Sequence, residues 1–412
     1  MKKILSIAMS LALGAVCISF VACQKEEGYD PGLTVNGYAD SGRELVEYDK
    51  AYAPFWEGDT VYNESVVFVK GEDGVISAKT MFEPTKVLEV RDSTLQTVYE
   101  EGKDYTYADG VFTLPEGSSI PYFTYNQVNY NQGAGITTLT EEEKADLVGI
   151  DVTTYGVMWT EGAAIAMRQV EITYRHDPND WAEMDGFNQT WQGDILDTTL
   201  SKLEKGDPVE ILLYGDSITS VNAQGTGASS AGIGREPYFP CWAQGFEDAL
   251  NFKYDSDITV YNLGEGGWTT YQGVLYADGK LNAHSPDLFV IAFGMNDATN
   301  GITVAQYKSN IQTMIDMVRA TNPAAEVILV STTHRNMSMV WPKNSVRHED
   351  LLPVIYELTE ENENTAVLDM TSFTESLFSV KASYECFYNN INHPIDYMVR
   401  AYVANMMKLF LK

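Results

Sequence analysis

The run Glu210-Ile211-Leu212-Leu213-Tyr214-Gly215-Asp216-Ser217-Ile218-Thr219 decides how this chain is read. Its apolar stretch predicts a strand buried on both faces, as in a parallel sheet. The glycine after it permits a sharp turn and leaves Ser217 just past the strand end. In open α/β sheets, ligands and reactive groups gather at the carboxyl ends of the strands, so this serine stands in the right place to react.

Working outward, four more short apolar runs follow, at 258–263, 288–293, 327–330 and 365–368. Between and after them the period changes. Tyr307, Ile311, Met314, Ile315 and Val318 fall at helical spacing within 303–320, and further helices are predicted over 349–362 and 397–411. Strands alternating with helices predict an α/β domain with a doubly wound parallel sheet over 207–412. Upstream, residues 65–70, 87–90, 105–107 and 168–174 read as alternating strands bounded by turn formers, which predicts an all-β sandwich over 41–200. The boundary is expected in the polar stretch 194–207.

The 412 residues are long enough for two domains, and 44% hydrophobic with 21% charged residues is a globular composition. With 27 Lys and Arg against 58 Asp and Glu, the net charge of −31 repels phosphate backbones. Nucleic acid is therefore excluded as a partner class, as is a polybasic membrane patch.

Lys2 and Lys3 precede an apolar run ending at Cys23, the layout of a secretory signal. Phe20-Val21-Ala22-Cys23 resembles a bacterial lipobox. That resemblance makes residues 1–22 a lipoprotein signal peptide, Cys23 the lipidated first residue, and 23–40 a flexible tether. The same run also reaches the lower end of the ~17–25 residues that span a bilayer, so an uncleaved anchor stays open. Gln24-Lys25-Glu26-Glu27 resembles a surface-export signal of lipoproteins, which implies a cell-envelope protein exposed at the outer-membrane surface. Of the remaining cysteines, Cys241 and Cys386 either pair or stay free, and spacing does not choose.

The later strand ends carry the other parts a serine nucleophile needs. Asn262-Leu263-Gly264-Glu265-Gly266-Gly267-Trp268 follows the second run, Gly294-Met295-Asn296-Asp297 the third, and Asn392-His393-Pro394 precedes the last helix. Backbone N–H groups of a glycine turn and a side-chain amide suit an oxyanion hole, and an imidazole suits a general base.

These four blocks, in this order, resemble the SGNH or GDSL-type hydrolases. The resemblance implies a carboxylic ester hydrolase with Ser217 as nucleophile, His393 as base, and Ser217 N–H, Gly267 N–H and the Asn296 side chain as oxyanion donors. It implies no metal or other cofactor. In that family an Asp three residues before the histidine usually orients it, but here that residue is Asn390; Asp396, three residues after, is a second candidate. Trp268 and His334 are weaker candidates for contact with substrate. The front half resembles β-sandwiches that precede such domains in carbohydrate-esterase-like proteins, and Tyr122, Tyr125 and Tyr130 are candidates to stack on sugars. The implied function is removal of acyl groups, acetyl above all, from polysaccharides or oligosaccharides, with the membrane engaged only through the lipid anchor. A lipase or lysophospholipase on the same fold, or a catalytically weak glycan-binding lipoprotein, remain as alternatives.

Overall fold

The computed structural model describes residues 48–130, 139–152, 154–220, 228–341 and 345–412. The signal segment, Cys23 and the tether lie outside the described residues.

In the front half the strands are β1 (Thr60–Lys70), β2 (Ile76–Ala78), β3 (Lys86–Asp92), β4 (Thr106–Ala108), β5 (Val111–Thr113), β6 (Tyr122–Thr124) and β7 (Gln169–Arg175). They pair in the order β3-β7-β1-β2-β5-β4, with β6 running parallel to β1. The front half is thus a sheet unit of its own. Its described strands are joined through β1, whose 11 residues pair with β7 along one part and with β2 and β6 along another.

The back half is α/β, as the periodicity predicts. Strands β8 (Val209–Gly215), β9 (Ile258–Asn262), β10 (Leu288–Ala292), β11 (Glu326–Ser331) and β12 (Thr365–Asp369) are all parallel, in the order β9-β8-β10-β11-β12. The chain leaves β8 to one side and returns on the other. This makes the carboxyl ends of β8 and β10 the crevice where such sheets bind ligands. Helix Val304–Thr321 starts at a Thr303–Gln306 capping box and buries the five apolar positions that its spacing singles out. A Thr cap of this kind stabilises a helix by about 1 kcal/mol.

The expected polar boundary is itself structured. Helix Asp197–Lys205 forms there, with Leu203 buried and Gly206 closing it at φ 74°. The Thr198 and Thr199 N–H groups donate to the Glu326 carboxylate at 2.8 and 2.9 Å, which fastens this helix beside the start of β11. One apolar cluster then runs through both halves, joining Val66, Phe68 and Ile172 to Phe373, Tyr397 and Met398.

A buried ion network crosses the same seam. Lys381 donates to Glu64 at 2.7 Å, to the Ser65 carbonyl at 2.6 Å and to Glu385 at 3.1 Å. The Val67 N–H of β1 in turn donates to Glu385 at 2.9 Å. Cys241 and Cys386 are both buried and free, and burial pushes the Cys241 thiol up to about 11.

Candidate active site

The turn after β8 needs its glycine. A Cβ on Gly215 would lie 2.5 Å from the Ala292 carbonyl and 2.4 Å from Thr219 Oγ1, so only glycine lets β8 and β10 stay in register while the chain turns. Ser217 then stands at the switch point, and Asp216 beneath it accepts the Ile218 N–H at 3.0 Å. Burial pushes the Asp216 carboxyl up to about 7.

His393 arrives from a loop built by its neighbour Asn389. That side-chain oxygen accepts the N–H groups of Ile391, Asn392 and His393 at 3.0, 2.9 and 3.0 Å, a turn that fixes where the ring is held. Its Nε2 lies 3.0 Å from Ser217 Oγ, within reach for proton transfer.

The oxyanion candidates lie on the same rim. Gly267 takes φ 75° on an open turn, a conformation that favours glycine. Neither the Ser217 nor the Gly267 N–H finds an acceptor among the described residues. Asn296 Nδ2 donates to the Trp268 carbonyl at 2.9 Å, which ties the asparagine loop to the glycine turn. Asp297 holds that turn from below by accepting the Thr270 N–H at 3.0 Å, and burial pushes its carboxyl up to about 6.

Both orienting candidates are corrected. Asn390, in the left-handed region at φ 60°, donates its amide to the Met158 carbonyl at 2.8 Å and accepts from Asn336 at 2.9 Å. Its side chain is thus used to lock two loops rather than the ring. Asp396 opens helix Asp396–Lys408 and accepts the Ser230 N–H at 2.7 Å.

The group beside the ring is one that the sequence analysis missed, Glu161 of the front half, whose Oε2 lies 3.0 Å from His393 Nδ1. The contact becomes an ion pair when the ring takes up a proton, and its alignment falls short of a linear hydrogen bond. Burial pushes the Glu161 carboxyl up, but contact with His393, helped by Asn389 and Trp159, outweighs this and holds it below its ordinary range. Glu161 reaches the site because Asp151 and Trp159 exchange two backbone hydrogen bonds of 2.6 Å, closing a loop that packs through Val157 on Met339 and Ile391. Trp159-Thr160-Glu161-Gly162 carries no motif, so nothing local marked it.

Trp268 is half-buried, edge-on to Tyr214 and 5.1 Å from the exposed ring of Tyr276. His334 is buried beside His348, 6.4 Å between ring centroids, and makes no contact with the Ser217–His393 pair among the described residues.

Residues 213–390 match the GDSL-like Lipase/Acylhydrolase family. This chain carries a GDSL-like lipase/acylhydrolase domain. Within and beside the matched residues, serine, imidazole and carboxylate stand in the relation that serine ester hydrolysis uses. An arylesterase of Vibrio mimicus is 27% identical over 159 residues, 39% of this chain and 69% of that protein. Among solved structures, a two-domain esterase (CEX) active on acetylated mannans is similar at 20% identity and a TM-score of 0.41, covering 55% of this chain and 56% of that one. The chain therefore spans about half the length of CEX. Axe2, an acetylxylan esterase from Geobacillus stearothermophilus, is similar at 16% identity and a TM-score of 0.39, over 51% of this chain and 97% of that one.

Proposed function

We propose that this chain is a secreted serine esterase, anchored to the cell envelope through Cys23, that removes acetyl groups from polysaccharides. The observation that carries the esterase chemistry is the line Ser217–His393–Glu161, with 3.0 Å at each step. His393 takes the Ser217 proton as Oγ attacks the ester carbonyl, and Glu161 stabilises the imidazolium that forms. The oxyanion rests on the Ser217 and Gly267 N–H groups and the Asn296 amide, each such donor contributing roughly 2.7–4 kcal/mol to the transition state. His393 then gives its proton to the departing sugar oxygen, and water releases the acid by the same route.

A sugar polymer is favoured by the aromatic rim next to the oxyanion glycine. Trp268, with the exposed Tyr271 and Tyr276, offers ring faces of the sort on which pyranoses stack. The glycan-binding alternative drew its motive from the missing Asp, and Glu161 supplies that charge from elsewhere.

The test is acid release from acetylated polysaccharides and from an aryl ester series by the mature chain, with Ser217→Ala alongside. Acetate release by the wild type alone, falling as the aryl acyl chain lengthens, supports the proposal. Preference for long acyl chains would transfer the chain to the lipases, and release unaffected by Ser217→Ala would remove the nucleophile. For the anchor, Cys23→Ala should move the protein from the membrane fraction to the soluble one.

A further inference from the structure

Beside the catalytic loops stands a second group of polar side chains that the esterase cycle leaves unused. Arg335 lies in the loop after β11 and is only 3% exposed, its guanidinium carbon 3.3 Å from the centre of the Trp341 ring. Arg347 approaches the same ring at 4.2 Å. Two cations thus share one indole.

Each cation has N–H groups left unpaired among the described residues. Arg335 Nε and Nη2, Arg347 Nη1, Trp341 Nε1 and both ring nitrogens of His334 have no hydrogen-bond partner among them. The nearest carboxylate in the group, Glu349, stays 4.0 Å from Arg347 Nε and 3.8 Å from His334 Nδ1. Among the described residues Arg335 has no ion pair at all, in a chain with 58 acidic side chains to choose from. Burial, and the like charge of Arg347, lower Arg335 to about 9, so it stays charged at neutral pH, while Glu349 reaches only the outer cation, Arg347, and at 4.0 Å. Helix His348–Glu361 begins at the same point and adds the positive end of its dipole.

The cluster shares a rim with the catalytic pair. Asn336, next to Arg335, holds Asn390 in the His393 loop at 2.8 and 2.9 Å. Tyr155 lies within the electrostatic reach of both Glu161 and Arg335. His348 lies beside Met295, the residue before the Asn296 amide.

We propose that Arg335 and Arg347, braced on Trp341, form a subsite for a carboxylate on the substrate, so that the esterified glycan contains a sugar acid. The proposal rests on the esterase reading and narrows its substrate. A guanidinium braced on an indole keeps its planar N–H fork in a fixed place, and that fork matches a carboxylate in bidentate fashion. The overall charge of −31 does not prevent this, because exposed charges beyond about 8 Å are largely screened at physiological ionic strength while the two arginines act at contact. Two sources carry the chemistry, a hexuronate in a polymer and a nonulosonic acid at a glycan terminus.

The deciding experiment is calorimetric titration of the full mature chain at physiological salt. Its ligands are trigalacturonate, N-acetylneuraminate and neutral mannotriose, each with wild type, Arg335→Gln and Arg347→Gln. Saturable binding of one acid, weakened roughly tenfold or more in both variants, supports the subsite and identifies the source. No binding of either acid, or binding unchanged in both variants, overturns it. Arg347 has a side chain 41% exposed, so Arg347→Gln remains informative if Arg335→Gln fails to fold. In parallel, the ratio of kcat/KM on an acetylated acidic oligosaccharide to that on an acetylated neutral one should fall about tenfold in Arg347→Gln. Absence of turnover on every ester would remove the esterase reading, and the titration would still decide the subsite.

Discussion

His393 must accept a proton from Ser217 and then carry a positive charge, and Glu161 acts on the second of these states. Replacing it by an amide keeps the shape and removes the charge. Glu161→Gln is expected to lower kcat for an aryl acetate on the order of 10²–10⁴-fold with little change in KM, read by steady-state kinetics on a variant with wild-type circular dichroism. Asn390→Asp added to that variant should not restore turnover, because residue 390 is engaged with Met158 and Asn336; recovery would return the orienting role to the family position. The residues legible in the sequence, Ser217, Gly267, Asn296 and His393, are those whose position at a strand end or before a helix gives a local signal. Glu161 has no such signal, since its role arises only when one half of the chain folds onto the other.

The elements of the back half were legible for a different reason. Buried parallel strands and amphipathic helices carry their period within a single segment, and the observed bounds of β8 to β12 differ from the expected ones by a residue or so at each end. In the front half the alternation found strands but not their pairing, because β2, β4, β5 and β6 have 3 residues each and their partners are decided by packing. A prediction at this scale concerns the seam between the halves. Lys381→Met leaves Glu64 and Glu385 buried together without their cation, and should destabilise the fold by about 3–5 kcal/mol in urea unfolding. Because β1 is the strand that loses its anchor, both halves should melt in a single transition in the variant as in the wild type, and two separated transitions would show that the seam is not cooperative.

For the molecule as a whole, the buried carboxyls set the pH dependence of stability. Burial raises Asp216 and Glu247 to about 7 and Asp297 to about 6. An unfolded carboxyl titrates near ~4, so between that pH and the folded value the native state holds protons that the unfolded chain has released. Stability therefore falls as pH rises through this window, by at most about 1.4 kcal/mol per unit for each such group. From these groups the melting temperature should be highest near pH ~4 and decline until about pH 7. Glu247→Gln, in a helix away from the site, should raise the melting temperature at the alkaline end and leave the acid end unchanged. A melting temperature that climbs with pH would contradict the protonation of these groups in the native state.

The Glu161–His393 contact has a consequence for how such a chain can change over generations. Its charge-stabilising carboxylate and its catalytic base are encoded on opposite sides of the boundary expected at 194–207. A recombination that exchanged the leading module would keep every recognisable family block and still strip the imidazole of its counter-charge. The two segments are therefore bound to be inherited as one unit, and a copy with the familiar serine, glycine, asparagine and histidine blocks but a foreign front end would look intact on paper while being nearly inert.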